Sequence, residues 1–287
     1  MSIRMIRSDS GYSISELASV WSDLKKEKPL VYQLSNMVAA SLQANVCLAS
    51  GASPVMSLCR DEAGIFAAQA DSILMNVGTP TSESLMAAEA VLVALSQTPE
   101  HKALILDPVG YGATDVRRDF VHRILESGHV SIVKGNSGEM CLLGGEEGVI
   151  RGIDGGAAQG DVKKALSRIS EQYNVVAVAT GEIDVIVYGE NTFSVKGGSH
   201  WLPEITGSGC SVGTIIAGCA AVTKDPLLAS LTGLIAVSIA SERAEKVEWV
   251  RGPGSFGCAF IDEIYRLSPP DFFDAESRWE GSKERCL

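Results

Sequence analysis

Thr206-Gly207-Ser208-Gly209-Cys210 runs straight into the apolar stretch from Ser211 to Val222. Two glycines in a tight turn before a helix-like run have the makings of an anion site. The first N–H groups of a helix lack partners within it, and the helix dipole adds positive potential at that end. Glycine leaves the backbone bare enough to meet a phosphate closely. Because the turn ends in a cysteine, a thiol stands at the mouth of the site. That combination suits chemistry on a phosphate, or on a group about to receive one. The same pattern also serves as a close-packing device, so the turn does not decide by itself. It is not a P-loop, because no Gly-Lys-Ser/Thr follows. Val212 stands where a dinucleotide fingerprint needs its third glycine.

Other candidates fall at the ends of predicted strands, where ligands collect in open α/β sheets. One such end reads Asp107-Pro108-Val109-Gly110, another Lys134-Gly135-Asn136-Ser137-Gly138-Glu139, and a third Thr180-Gly181-Glu182. Asp107 and Glu139 are acids at neighbouring strand ends, as recruitment of Mg²⁺ requires. That cation takes oxygen ligands and keeps waters and phosphate oxygens. Either acid serves equally well as a helix N-cap or turn residue. Lys134 reads as a phosphate-facing cation or as a solvated lysine, and Thr180 as a turn residue or a hydroxyl donor to phosphate. Asn36 reads as the cap of a helix beginning at Met37. Glu182 and Asp184 read as solvated turn charges, and Met56 as a core or hairpin methionine.

A largely parallel sheet with helices on both faces would position these residues. Short apolar runs alternate with longer amphipathic or alanine-rich ones, the rhythm of an α/β fold. Strands are predicted at Leu30–Leu34, Ser72–Val77, Ala103–Leu106, Val130–Val133, Val175–Ala179 and Val185–Tyr188, with Thr192–Val195 as a hairpin partner. Helices are predicted near 13–26, 36–50, 60–70, 82–97, 115–127, 136–143 and 160–172, then 210–222, 226–247 and 255–267. Residues 1–267 read as a single domain, with 144–160 a surface excursion. Residues 268–287, with Pro269-Pro270 and mixed charges, are expected to form a poorly packed extension.

Composition narrows the function. The chain of 287 residues carries a formal charge of −11, too acidic for a nucleic-acid partner. Seven cysteines without regular spacing read as reduced thiols of a cytoplasmic protein, and the four histidines are too isolated for zinc. The polar start, residues 1–10, has no signal-peptide core. Lys224-Asp225 splits the apolar stretches 211–222 and 226–240, which read as buried helices rather than membrane spans.

Taken in order, these segments resemble the hydroxyethylthiazole kinases, thiamine-pathway enzymes with a ribokinase-like, three-layer αβα fold. The resemblance runs through Leu34-Ser35-Asn36, Ala52-Ser53-Pro54-Val55-Met56, Asn76-Val77-Gly78-Thr79, Asp107-Pro108-Val109-Gly110 and Gly135-Asn136 with Glu139. It continues through Thr180-Gly181-Glu182, Thr206–Cys210 and Gly252-Pro253-Gly254. It implies transfer of a phosphoryl group from ATP to the hydroxyethyl oxygen of 4-methyl-5-(2-hydroxyethyl)thiazole. On that likeness Asp107 and Glu139 hold Mg²⁺, while Lys134 and Thr180 sit against the phosphates. The amides of Gly207, Ser208, Gly209 and Cys210 form the anion hole, and Asn36, Met56 and Gly207 lie near the thiazole. Cys210 stands where most ribokinase-like enzymes carry an aspartate base. A thiol lowered by the helix N-terminus would accept the proton or orient the hydroxyl. A homotrimer is also implied, with neither membrane nor nucleic acid as partner.

Some residues depart from the family's pattern. Tyr32-Gln33 replaces its usual residues before Asn36, Lys134 replaces a common arginine, and Trp201 and Pro203 replace leucine and threonine. The alternatives are a kinase for another small alcohol such as hydroxymethylpyrimidine, a related dehydratase, and a non-catalytic binder of thiazole or nucleotide.

Overall fold

The computed structural model describes residues 11–151, 155–158 and 160–283. The expected polar start and the end of the C-terminal extension therefore lie outside the described residues. In chain order the first elements are α1 (Ile14–Glu27), β1 (Leu30–Leu34), α2 (Ala40–Ser50), β2 (Ser53–Met56), α3 (Arg60–Gln69), β3 (Ser72–Asn76) and α4 (Ser82–Gln97). There follow β4 (Ala103–Asp107), α5 (Asp115–Glu126), β5 (Val130–Asn136), α6 (Ser137–Leu143), β6 (Gly148–Arg151), β7 (Gly155–Ala158) and α7 (Val162–Tyr173). The last are β8 (Val176–Thr180), β9 (Ile183–Tyr188), β10 (Asn191–Lys196), α8 (Ser208–Val222), α9 (Pro226–Glu245), α10 (Pro253–Arg266) and β11 (Trp279–Lys283).

Nine strands form one sheet in the order β11-β10-β9-β8-β5-β4-β3-β1-β2. It is parallel from β2 to β8 and antiparallel from β8 to β11. The central strands are buried on both faces, which is why they read as nearly unbroken apolar runs. One face packs against α1, α2, α8, α9 and α10, the other against α3 to α7. The result is the expected three-layer αβα arrangement. Helix α9 is long and apolar enough to cross a membrane by length and composition, but most of it is buried inside the protein. Its apolar character fits a core position.

The structure differs from expectation in four places. Strand β2 was not anticipated, because it is a short edge strand that begins Ser53-Pro54. Proline is tolerated at an edge, where its missing N–H leaves no ladder bond unmade. Helix α2 begins at Ala40 rather than Met37, after a turn in which the N–H groups of Val38 and Ala39 donate to Asn36 Oδ1 at 3.0 Å. Within the excursion at 144–160, β6 and β7 form a small antiparallel hairpin.

The largest correction concerns the extension. Residues Pro269–Arg278 form a 3-10 segment and β11 then pairs with β10. Phe272 and Ala275 are fully buried, Phe272 lies 5.8 Å from the Trp21 ring, and Trp279 lies 6.0 Å from Phe193. A few large apolar side chains in a charged stretch suffice to dock it. Fully burying a Phe stabilises by roughly 1.5–3 kcal/mol.

Candidate active site

The strand pleat dictates where the site lies. Gln33 of β1 pairs with Leu74 of β3, Leu74 with Ile105 of β4, and Ile105 with Ile132 of β5. These side chains share the face covered by α8. Two residues on, the same face presents Asn76, Asp107 and Lys134 at the carboxyl ends of their strands. Helix α8 comes down close on both rows because Gly213 has no side chain. A Cβ there would meet Leu74 Cδ1 at 3.3 Å and Asp107 Oδ2 at 3.8 Å.

The polar row is hydrogen-bonded end to end. Asn36 Nδ2 donates to Asn76 Oδ1 at 2.8 Å, and Asn76 Nδ2 donates to Asp107 Oδ2 at 2.9 Å. Lys134 Nζ lies 3.5 Å from Asp107 Oδ2 and donates to the Gly209 carbonyl at 2.9 Å. Cys210 Sγ, 3.9 Å from Asn36 Nδ2, completes the cluster beside Asp107. Gln43 supports it from α2, donating to the Cys210 carbonyl at 3.1 Å while accepting from Ser35.

Glu139 reaches the cluster from α6. Its Oε1 accepts from Gly110 N–H at 2.7 Å and its Oε2 from Asn136 N–H at 2.8 Å. The capping role and the place beside Asp107 are thus filled by one side chain, in a capping box with Asn136.

Asp107, Glu139 and Lys134 are 1%, 4% and 3% exposed, and the buried Arg117 guanidinium on α5 also acts on Glu139, so charges crowd together in a dry site. Burial alone would lower Lys134, but Asp107, Cys210 and Glu139 hold it above its ordinary value. Burial raises Asp107 in spite of Lys134, and Oδ1 of this carboxyl is buried without a hydrogen-bond partner. Burial and the neighbouring Asp107 push Glu139 up to about 7. Paired buried acids, one raised to about 7 and the other with an orphaned carboxylate oxygen, have the donor set of a divalent-cation site. Among the described residues no third acid, histidine or cysteine joins to make an all-protein cage. A cation here would therefore draw its remaining ligands from substrate oxygens and water.

The turn entering α8 is the complementary half. Gly207 sits at φ 87°, a left-handed conformation suited to glycine, and a Cβ there would meet Ala39 at 3.2 Å. Among the described residues no acceptor meets the N–H groups of Gly207, Gly209 and Cys210, and a Cβ on Gly209 would face open space. Ser208 differs from its expected role: its N–H donates to Ile205 O at 3.2 Å and its hydroxyl to Leu202 O at 2.6 Å. Both donors are engaged, so the anion hole falls to its neighbours. Cys210 also departs from expectation. Burial, then Asp107, push its thiol up to about 12, outweighing Lys134 and the hydrogen bonds from Asn76 and Asn36.

Thr180 stands at the end of β8, level with Asn136, and its hydroxyl donates to Gly135 O at 3.2 Å. Met56 ends edge strand β2 opposite Gln33, half-buried along the open edge and one strand away from Asn36. Asp184 is not a solvated turn charge: it accepts from Gly181 N–H at 3.0 Å, and burial raises it to about 6.

Sequence reading noted Asn76 only within a family-like segment and gave it no role, yet it links Asn36 to Asp107, and its place at a strand end was a usable signal. That reading missed Arg117, a buried cation on α5. Its Nη1 donates to Val77 O at 3.2 Å and Val109 O at 2.7 Å, tying together the loops after β3 and β4. Nothing in its local sequence marks that role. Thr79, at φ 39° with a buried and unpartnered Oγ1, adds a strained residue to the same rim.

Comparison with known proteins agrees with this geometry. A structure of hydroxyethylthiazole kinase protein from Pyrococcus horikoshii superposes with a TM-score of 0.81 at 30% identity, covering 93% of this chain and 98% of that one. A ribokinase-like superfamily protein from Enterococcus faecalis, at 14% identity and TM-score 0.59, shares the fold. Hydroxyethylthiazole kinase of Thermoanaerobacter pseudethanolicus is 38% identical over 86% of this chain and 92% of the relative. That of Caldivirga maquilingensis is 38% identical over 87% and 91%. The sequence model of the hydroxyethylthiazole kinase family matches residues 21–270, a span that takes in the polar row, the acids and the anion turn together. This chain belongs to the hydroxyethylthiazole kinase family.

Proposed function

We propose that this protein transfers the γ-phosphoryl group of ATP to the hydroxyethyl oxygen of 4-methyl-5-(2-hydroxyethyl)thiazole. The observation that carries the proposal is one buried cluster in which paired acids face an anion-binding helix start across a single lysine. Family membership names the acceptor.

Asp107 and Glu139 would hold Mg²⁺, which when bound neutralises charge on the phosphate oxygens. The amides of Gly207, Gly209 and Cys210 would receive the transferring phosphoryl, with Lys134 beside them. Thr180 would meet the phosphates from the end of β8. Asn36 and Met56 would line the thiazole pocket, Met56 from an open sheet edge. That open edge suits the homotrimer implied by the family likeness, with a second copy closing the pocket. A cytoplasmic protein without membrane or nucleic-acid partners is part of the same reading.

A loose phosphoryl-transfer transition state asks mainly for positioning and charge stabilisation. The acceptor alcohol loses its proton late, so a strong base is not required. With its thiol raised, Cys210 orients the hydroxyl rather than deprotonating it, and Asp107 beside it would accept the proton.

The test is product identity. Incubation with ATP, Mg²⁺ and the thiazole, followed by ³¹P NMR, is expected to give a phosphomonoester in step with ADP. ADP formed with inorganic phosphate in place of that ester rejects the activity in favour of ATP hydrolysis, and no turnover while ATP still binds rejects it in favour of a binding role.

A further inference from the structure

The family match ends at residue 270, yet Arg278, beyond it, is joined to the turn at the head of α8. Its Nη1 donates to Glu242 Oε1 at 2.5 Å and its Nη2 to Oε2 at 2.9 Å. This forked pairing fixes the orientation of the carboxylate as well as its place. Arg278 also holds Glu242 below the usual carboxylate range, chiefly through these hydrogen bonds.

The same Oε1 accepts from the N–H of Gly198 at 3.0 Å, and the next N–H, of Ser199, donates to Ser241 Oγ at 3.1 Å. Two consecutive amides after β10 are thereby pinned to α9. The chain turns away from the sheet here with Gly197 and Gly198 at φ 110° and 103°. A Cβ on Gly197 would lie 2.7 Å from both Arg278 Nη1 and Glu242 Oε1, so the segment is seated directly on the ion pair.

From Ser199 the connection continues. Its carbonyl accepts from Leu202 N–H at 3.1 Å and its hydroxyl from Trp201 N–H at 3.1 Å, closing a 3-10 turn. The Leu202 carbonyl accepts the Ser208 hydroxyl at 2.6 Å. Ser208 is the first residue of α8 and sits between the two glycines of the anion turn. Hydrogen bonds, with the Gly198–Ser199 peptide bond between two of them, form a relay: Arg278, Glu242, Gly198, Ser199, Leu202, Ser208.

We propose that Arg278 and Glu242 are a positioning pair for the phosphate-binding turn, so that the C-terminal extension sets how tightly ATP is held. This rests on the reading that Gly207, Gly209 and Cys210 receive phosphate. The extension has a second tether that does not enter the relay. Arg243, next to Glu242 on α9, pairs with Asp271 at 2.6 Å. That tether supplies the control.

The experiment measures the dissociation constant of ATP by calorimetry and the Michaelis constants for ATP and thiazole, with thermal midpoints, in Arg278→Ala, Arg278→Lys, Arg243→Ala and Ser208→Ala. Displacing such a turn by a fraction of an ångström is expected to raise the ATP dissociation and Michaelis constants about tenfold in Arg278→Ala, leaving the thiazole constant unchanged. Arg278→Lys, which keeps charge without the fork, should fall between. Ser208→Ala should match Arg278→Ala, and the double variant should be no worse than either. Arg243→Ala should lower the thermal midpoint and leave ATP affinity within about twofold.

Unchanged ATP affinity in Arg278→Ala overturns the relay, as does an equal loss in Arg243→Ala. Should Arg278→Ala not fold, unchanged affinity in Arg278→Lys overturns it as well. Failure of the wild type to bind ATP would instead remove the functional reading, and the relay with it.

Discussion

Two rows of side chains lie one pleat apart on the same face of the same strands. Leu74, Ile105 and Ile132 form the lower row, and Asn76, Asp107 and Lys134 the upper one. Burial does not distinguish them: Leu74 is 0% exposed and Asp107 1%. Charge does. Leu74, Ile105 and Ile132 have only apolar contacts to make under α8. Gln33, level with them on β1, is neutral: its Oε1 accepts from Thr214 Oγ1 at 2.9 Å, while among the described residues its Nε2 has no partner. The upper row sets Asp107 against Lys134, with Glu139 reaching in from α6, and leaves Asp107 Oδ1 without a donor. A core and a site can thus be equally dry, and buried charge marks which is which.

That contrast is open to attack from both sides. Asp107→Asn should lower kcat by about 10²–10³-fold, the scale of losing one preorganised charge-stabilising group. Its thermal midpoint should not fall, because Lys134 retains Glu139 as a counter-charge; a collapse of the fold would show the row to be structural instead. Leu74→Ala is the converse. Denaturant unfolding should report a loss of about 2–5 kcal/mol, while activity per folded molecule stays near wild type. Equal damage to both properties in either variant would erase the distinction.

Smaller effects sharpen the roles within the upper row. Cys210→Ser should keep thiazole binding and lose no more than about tenfold in rate, since orientation needs only a hydrogen-bonding side chain. Loss of both binding and rate would contradict that. The smallest effect is one of pH. Glu139 is raised to about 7, so it is protonated below that and a proton competes with the cation. The Michaelis constant for Mg²⁺ should rise a few-fold as pH falls from about 8 to 6. Glu139→Gln should flatten that dependence at weak affinity, and a profile unaltered by the substitution would assign it to another group.

Much of the fold was legible because parallel strands buried on both faces announce themselves as apolar runs. The edge strand Ser53–Met56 was not, since a proline and four residues carry little pattern. The extension hid for a related reason: Phe272, next to the exposed Phe273, and Trp279 show no periodic pattern, and their partners, Trp21 and Phe193, are remote in sequence. In the site, Asp107, Lys134, Glu139 and Thr180 could be picked out as polar residues at strand ends. Their mutual distances depend on register between strands, which local spacing does not encode. The same limit explains Arg117 and Asn76, whose roles exist only once neighbouring loops meet. Cys210 does lie in the first turn of α8, but burial beside Asp107, which its local sequence does not show, raises its thiol instead of lowering it. The engaged donors of Ser208 likewise appear only when the preceding 3-10 turn folds against it.

The most direct test of the account is ADP release from ATP with Mg²⁺, offering hydroxyethylthiazole and hydroxymethylpyrimidine separately to the wild-type protein. Turnover with the thiazole and none above background with the pyrimidine is the predicted result. Turnover with the pyrimidine alone would contradict it and assign the upper row to a different acceptor.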